Sequence, residues 1–179
     1  MDKNVEEILF TRDEIEKRLQ EMGAQISQDY AGQEIVVIGI LKGVAYFMTN
    51  LTLNITVPTK IDFIRASSYG AGTESSGVVK KTWDVKEEIR GKNVILLDDI
   101  IDTGLTLLEI KRSLEEKCPK SLKVAVMLDK KERRKAAIEA DYVGFDIPDK
   151  FVVGFGLDYD EMYRNLPYIG VLKPEVYEK

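Results

Sequence analysis

The chain has 179 residues, 44% of them hydrophobic and 32% charged, which fits one soluble globular domain with a sizeable core. A net charge of -5 argues against a surface built to coat nucleic acid. The sequence holds no histidine and one cysteine, Cys118, which excludes Ser-His-Asp and Cys-His chemistry, histidine-zinc sites, an internal disulfide and a cysteine metal cluster.

The opening stretch, MDKNVEEILF, is acidic and lacks a signal-peptide core, and no apolar run approaches a membrane span, so a cytoplasmic address is expected. Thr11-Arg12-Asp13-Glu14 reads as a capping box, and Ile15, Leu19, Met22, Ile26 and Tyr30 form one stripe of the helix behind it. Glu34 to Ile40 is a fully apolar strand, Leu41-Lys42-Gly43 breaks it, and VAYFMTNLTL is predicted helical. KIDFIRASSY, from Lys60, is a second strand. Residues 70–77, GAGTESSG, read as a mobile loop from which VVKKTWDV returns as a strand. NVILLDD is the next strand, and LTLLEIKRSLEEK is a helix with Leu107, Ile110 and Leu114 facing inward. SLKVAVMLD is a buried strand followed by the basic KKERRKAAIEA, and DYVGFDI, KFVVGFGL and YIGVL are short strands. Apolar strands alternating with amphipathic helices predict an α/β fold over residues 1–179, a mostly parallel twisted sheet flanked by helices.

The most informative string is NVILLDDIIDTGLT. Ligands of open parallel sheets sit beyond the carboxyl ends of the strands, which is where Asp98 and Asp99 are expected. Thr103-Gly104 permits a tight turn with outward N–H groups, and a helix starting near Leu105 adds the positive end of its dipole, so the loop suits a phosphate. Three acids beside a phosphate make sense if they face something else. Carboxylates accept hydrogen bonds from paired sugar hydroxyls and favour a developing positive charge, and a ribose 5-phosphate meets both demands. The plainer alternative is a solvated strand end followed by a helix cap. Without histidine, acid–base work falls to Asp, Glu, Lys or Tyr, and a metal is expected to be a hard cation held by oxygens, magnesium first.

LLDDIIDTGLT resembles the phosphoribosyl-diphosphate signature of type I phosphoribosyltransferases, and the resemblance continues through GILKG, IDFIRASSYG, LDKKERR and YVGFDIPDKFVVGFGLDYDEMYRNLPYIGVLKP. The signature usually carries Glu-Asp where this chain has Asp98-Asp99, one methylene shorter. The resemblance implies purine salvage: transfer of the phosphoribosyl group of 5-phospho-α-D-ribosyl 1-diphosphate to N9 of hypoxanthine or guanine, with magnesium, giving IMP or GMP and pyrophosphate. It implies a flexible lid at about 68–80 and a small purine-binding hood from the N- and C-terminal segments.

The same resemblance implies the site. Leu41, Lys42 and Gly43 bind pyrophosphate, with a Leu–Lys peptide that can be cis; in isolation they read as a βα turn with a surface lysine. Arg65 supports this loop or a subunit contact, or is a plain surface arginine. Ser68 and Tyr69 begin the lid, and Tyr69 covers the leaving group; otherwise this is a solvent loop. Asp98 and Asp99 fix the ribose. Thr103, Gly104, Leu105 and Thr106 hold the 5′-phosphate. Asp102 is the general base at purine N7, its pKa raised by nearby carboxylates. Lys130 reads the 6-oxo group, although a strand-end lysine is more often a solvated charge. Phe151 stacks on the base and the Val152 backbone reads its edge, the alternative being plain core. Asp158 holds magnesium, with Asp98 and Asp99 as further metal candidates, and Arg164 reaches the pyrophosphate; the alternative is a surface ion pair. Family members form homodimers or homotetramers, and neither nucleic acid nor membrane is an expected partner. Two rivals from other classes remain at this point. One is a phospho-acceptor receiver module, tested by acetyl phosphate. The other is an RNA-binding regulator using KKERRK as its basic patch, tested by filter binding.

Overall fold

In the computed structural model, which describes residues 2–68 and 79–178, the chain runs through fourteen elements in order. They are β1 (Val5–Phe10), α1 (Arg12–Asp29), β2 (Ile35–Ile40), α2 (Val44–Thr52), β3 (Thr59–Ser68), β4 (Val79–Trp83), β5 (Asn93–Ile101), α3 (Leu105–Glu115) and β6 (Ser121–Asp129), then a single 3-10 turn (Lys131–Arg133), β7 (Tyr142–Asp146), β8 (Val152–Val153), β9 (Ile169–Leu172) and α4 (Pro174–Tyr177). The larger sheet has the order β4-β3-β2-β5-β6-β7. Five of its strands are parallel, and β4 adds an antiparallel edge to β3 through Ser68↔Val79 at the open end.

Helices cover both faces of this sheet, which is why β2 is buried at every residue and reads as an unbroken apolar run. Alternation along each strand divides the core. Val37, Ile95, Leu97 and Met127 face α1 and α2, where they meet Leu19, Met22 and Phe47. Val36, Ile38, Val94, Leu96 and Val126 face α3 and meet Leu107, Ile110 and Leu114. The capping box of α1 forms in both directions, with the Glu14 N–H donating to Thr11 Oγ1 and the Thr11 N–H donating to Glu14 Oε2. Phe47 is fully buried at the centre of the first core. Phe47→Ala is expected to cost about 3–5 kcal/mol of unfolding free energy, read from denaturant titration at unchanged slope.

Two elements escape the sequence reading. Strand β1 lies in the acidic opening stretch and pairs antiparallel with β9, which also pairs with β8, giving a second sheet of order β1-β9-β8. Only Val5 of its six residues is fully buried, and two register shifts interrupt its pairing, so no clean alternation marks it. The four-residue α4 is too short for a periodic signal. The second sheet packs Val5, Val153 and Leu172 against Tyr159, Tyr163, Tyr168 and Tyr177. Among the described residues no helix is long and apolar enough to cross a membrane.

Strand β5 does not end at its acids. Its pairing with β2 stops at Gly39↔Leu97, but its pairing with β6 continues to Ile101↔Asp129. Asp98 to Ile101 therefore overhang the place where β2 has already turned away.

Candidate active site

The overhang is where the candidate residues gather. The chain leaving β2 turns through Leu41-Lys42-Gly43, with a cis Leu41–Lys42 peptide, directly beside Asp99. A Cβ on Gly43 would lie 1.5 Å from Asp99 Oδ2, so only glycine leaves room for that carboxylate. A Cβ on Gly156 would lie 2.0 Å from the Gly43 carbonyl oxygen, so the segment following β8 is packed onto the same turn.

Beyond β5, Gly104 adopts φ +77° and caps α3 at its N-terminus. The N–H groups of Lys135 and Ala136 donate to the Thr103 carbonyl at 2.9 and 3.0 Å, and Arg134 Nε donates to the Asp102 carbonyl at 3.3 Å. In a planar trans peptide the N–H points opposite to the C=O. Tying these carbonyls to the segment behind them turns the following N–H groups, at Thr103 and Gly104, the other way. Leu105 and Thr106 follow in the first turn of α3, at the positive end of its dipole. Arg134 is itself anchored to buried Asp129 and to the Ile138 carbonyl.

A cavity of about 240 Å³ opens here, lined by Asp99, Ile100, Asp102, Lys130, Arg133, Phe151, Val152, Leu157 and Asp158. A larger cavity of about 390 Å³, between α1, α2 and Asn165-Leu166-Pro167, contains none of the sequence-predicted site residues. Asp98 is not in the lining of the smaller cavity.

Asp98 and Asp99 are each partly buried. Burial, then the adjacent charge of Asp99, pushes the Asp98 carboxyl well above the usual range. Burial also raises Asp99, opposed by the Ile100 N–H and the Arg164 guanidinium. Asp102 faces a cation, with Arg133 Nε 3.2 Å from its Oδ1. A carboxyl raised on folding binds its proton more tightly in the folded state. The pair therefore favours the fold below about pH 4, the unfolded aspartate value, and loses that contribution as pH rises through the raised folded values. Asp98→Asn is expected to stabilise the fold by about 0.5–2 kcal/mol at neutral pH. Melting temperatures from pH 4 to 8 should show the variant's advantage growing with pH; curves that run parallel would contradict the assignment.

Lys130 is not a solvated strand-end charge. Its side chain is 7% exposed, its Nζ donates to the Lys150 carbonyl at 2.9 Å, and Asp149 Oδ1 lies 3.4 Å away. Phe151 is not core; it is 37% exposed, stacked at 4.7 Å on Tyr177 and edge-on to Tyr159 at 5.7 Å. Val152 is buried and paired with Val171. In the basic run beyond β6, Lys131 pairs with Asp146, Arg133 with Asp102, and Arg134 with Asp129 and Glu139, while Lys131 and Arg133 stay exposed. These acidic partners offset the positive charge that a basic groove for RNA would need.

Asp158 and Arg164 do form an ion pair, at 2.9 Å, but in a turn segment and not along a helix. The Arg164 guanidinium also donates to the Gly156 carbonyl at 2.7 Å and lies 3.5 Å from Glu161, while its Nε is buried without a partner among the described residues. Lys42 Nζ lies 2.9 Å from the same Glu161 oxygen and holds that carboxyl below its usual range. Among the described residues no group of three or more acidic, histidine or cysteine side chains is placed to enclose a cation. Asp99 and Asp158 nonetheless line one cavity, and one or two carboxylates completed by substrate oxygens are the usual complement of magnesium.

Ser68 is the last residue of β3, and Arg65, exposed, pairs by backbone with Trp83. Tyr69 and most of the lid expected at about 68–80 lie outside the described residues. Sequence reasoning missed Arg133, Arg134, Asp149 and Glu161. The two arginines stood in a basic cluster read as one patch, and the acids had no motif of their own.

Residues 6–160 match the family model described as the phosphoribosyl transferase domain. The chain is 50% identical over 177 residues to the hypoxanthine-guanine phosphoribosyltransferase of Staphylococcus aureus (strain Mu50), covering 99% of each. It is 48% identical over 179 residues to the protein of that name from Streptococcus thermophilus (strain CNRZ 1066), covering 100% of this chain and 99% of the relative. A crystal structure of a hypoxanthine phosphoribosyltransferase from Staphylococcus aureus superposes with a TM-score of 0.96 at 49% identity, covering 98% of this chain and 96% of that one.

Proposed function

The chain belongs to the phosphoribosyl transferase family, and from that premise we propose that it is a purine-salvage enzyme that makes IMP from hypoxanthine and GMP from guanine. The phosphoribosyl donor is 5-phospho-α-D-ribosyl 1-diphosphate. The observation that carries this reading is the convergence of Asp102, Lys130 and Phe151, from three separate stretches of sequence, on one cavity beside the Gly104 turn. The receiver-module alternative gives way to family membership.

In this reading the 5′-phosphate rests on the N–H groups of Thr103, Gly104, Leu105 and Thr106. Asp98 and Asp99 accept from the ribose hydroxyls and favour positive charge on the ring as the C1–O bond to diphosphate breaks. Phe151 stacks on the purine, the Val152 backbone reads its edge, and the second sheet serves as the hood above it. Lys130 donates to the 6-oxo group. Adenine presents an amino donor at that position and leaves the buried ammonium mismatched. N9 bonds to C1 while Asp102 takes the proton from N7. Lys42 and Arg164, with the Leu41–Gly43 turn, receive the departing diphosphate, and Ser68 and Tyr69 belong to the lid that excludes water. Asp158 and Asp99, with Asp98 behind, would hold magnesium, which when bound neutralises diphosphate charge. A cytoplasmic homodimer or homotetramer is the expected form.

A spectrophotometric assay of hypoxanthine, guanine, xanthine and adenine with the donor and magnesium tests this. Turnover of hypoxanthine and guanine with adenine refused is expected; inertness toward every base would end the reading.

A further inference from the structure

We infer that Glu161 is a built-in stand-in for the leaving diphosphate, its carboxylate bridging Lys42 and Arg164 until an anion displaces it. This rests on the proposed function, which puts those two cations on the diphosphate. One carboxylate oxygen, Glu161 Oε2, lies 2.9 Å from Lys42 Nζ and 3.5 Å from Arg164 Nη2. A single anionic oxygen shared by an ammonium and a guanidinium is also what a phosphate oxygen provides.

The local backbone favours such a role. Asp160, Glu161 and Tyr163 all sit in the left-handed region, at φ +51°, +63° and +73°, a conformation that L side chains rarely adopt. The Glu161 N–H is fixed on Asp158 Oδ2 at 2.9 Å, and Tyr159 and Met162 bridge across the turn. The main chain is thus anchored while the Glu161 side chain is 62% exposed and free to rotate away. Lys42 and Glu161 are 119 positions apart, so their contact ties the turn after β2 to the segment after β8. Displacement by diphosphate would exchange one set of charge pairs for another and weaken apparent affinity, which hastens release of the product.

The test is calorimetric titration of the full chain with pyrophosphate and magnesium. Glu161→Gln is expected to bind about two- to fivefold tighter than the unaltered chain, the scale of an exposed ion pair, with the advantage shrinking in high salt. Glu161→Ala should repeat the gain. Asp160→Asn makes the same charge change one residue from the bridge and should leave affinity unchanged. Equal gains from Asp160→Asn and Glu161→Gln would reduce the effect to general repulsion and overturn the inference. So would unchanged or weaker binding by Glu161→Gln, the result of a merely structural role. Failure of the unaltered chain to bind magnesium pyrophosphate at all would instead bring down the reading of the site.

Discussion

Asparagine in place of Asp102 is expected to lower turnover about 10²–10⁴-fold, the usual share of a positioned general base, with phosphoribosyl diphosphate binding close to that of the unaltered chain. The separation follows from the geometry. The Asp102 backbone carbonyl is held by Arg134 and the Thr103 carbonyl by the N–H groups of Lys135 and Ala136, so the loop keeps its course whatever the Asp102 side chain does. The Asp102 carboxylate meets Arg133 at 3.2 Å at the cavity wall. Asparagine preserves its size and an acceptor oxygen but cannot take a proton. Single-turnover kinetics beside donor titration distinguish the two quantities. A variant with ordinary turnover removes Asp102 from the chemistry. A variant that loses both turnover and donor binding makes it a structural residue of the loop.

Lys130→Met carries the second large effect. Its ammonium is nearly enclosed and aimed by the Lys150 carbonyl and Asp149, with the cavity as its open side. Methionine keeps most of the volume and removes the donor. A hydrogen bond from a charged group contributes about 1.5–3 kcal/mol, so kcat/KM for hypoxanthine should fall about 10- to 150-fold. The ratio of hypoxanthine to adenine use should fall with it, because the mismatch that rejects adenine disappears along with the donor. An unchanged ratio would place base selection elsewhere.

Much of this architecture was readable from residue pattern. The stripe of Ile15, Leu19, Met22 and Ile26, the apolar run of β2, and the inward trio Leu107, Ile110 and Leu114 each follow from burial at the helical or strand period. The turn after β5 was legible because an apolar strand, Gly104 and an amphipathic helix follow one another there. What escaped depends on long-range contact. Strand β1 is defined by its partner β9, more than 150 positions away, and not by its own alternation. The extension of β5 through Asp98 to Ile101 is set by β6 pairing beyond the point where β2 stops. The acids that steer the cations, Glu161 on Lys42 and Asp149 on Lys130, come from distant segments, and nothing in their neighbourhood of sequence announces the pairing. Likewise, counting three nearby carboxylates cannot say which are desolvated and which has an arginine beside it.

We propose that one cavity beyond β5 receives sugar phosphate on its main chain and purine between Lys130 and Phe151, and a crystal structure of the protein with bound IMP is the decisive test. The expected complex has the 5′-phosphate on the N–H groups of residues 103–106, the ribose hydroxyls toward Asp98 and Asp99, N7 at Asp102 and the 6-oxo group at Lys130. A nucleotide lodged in the larger cavity beside Tyr46 and Leu166, or seated with its base toward the Gly104 turn, would contradict it.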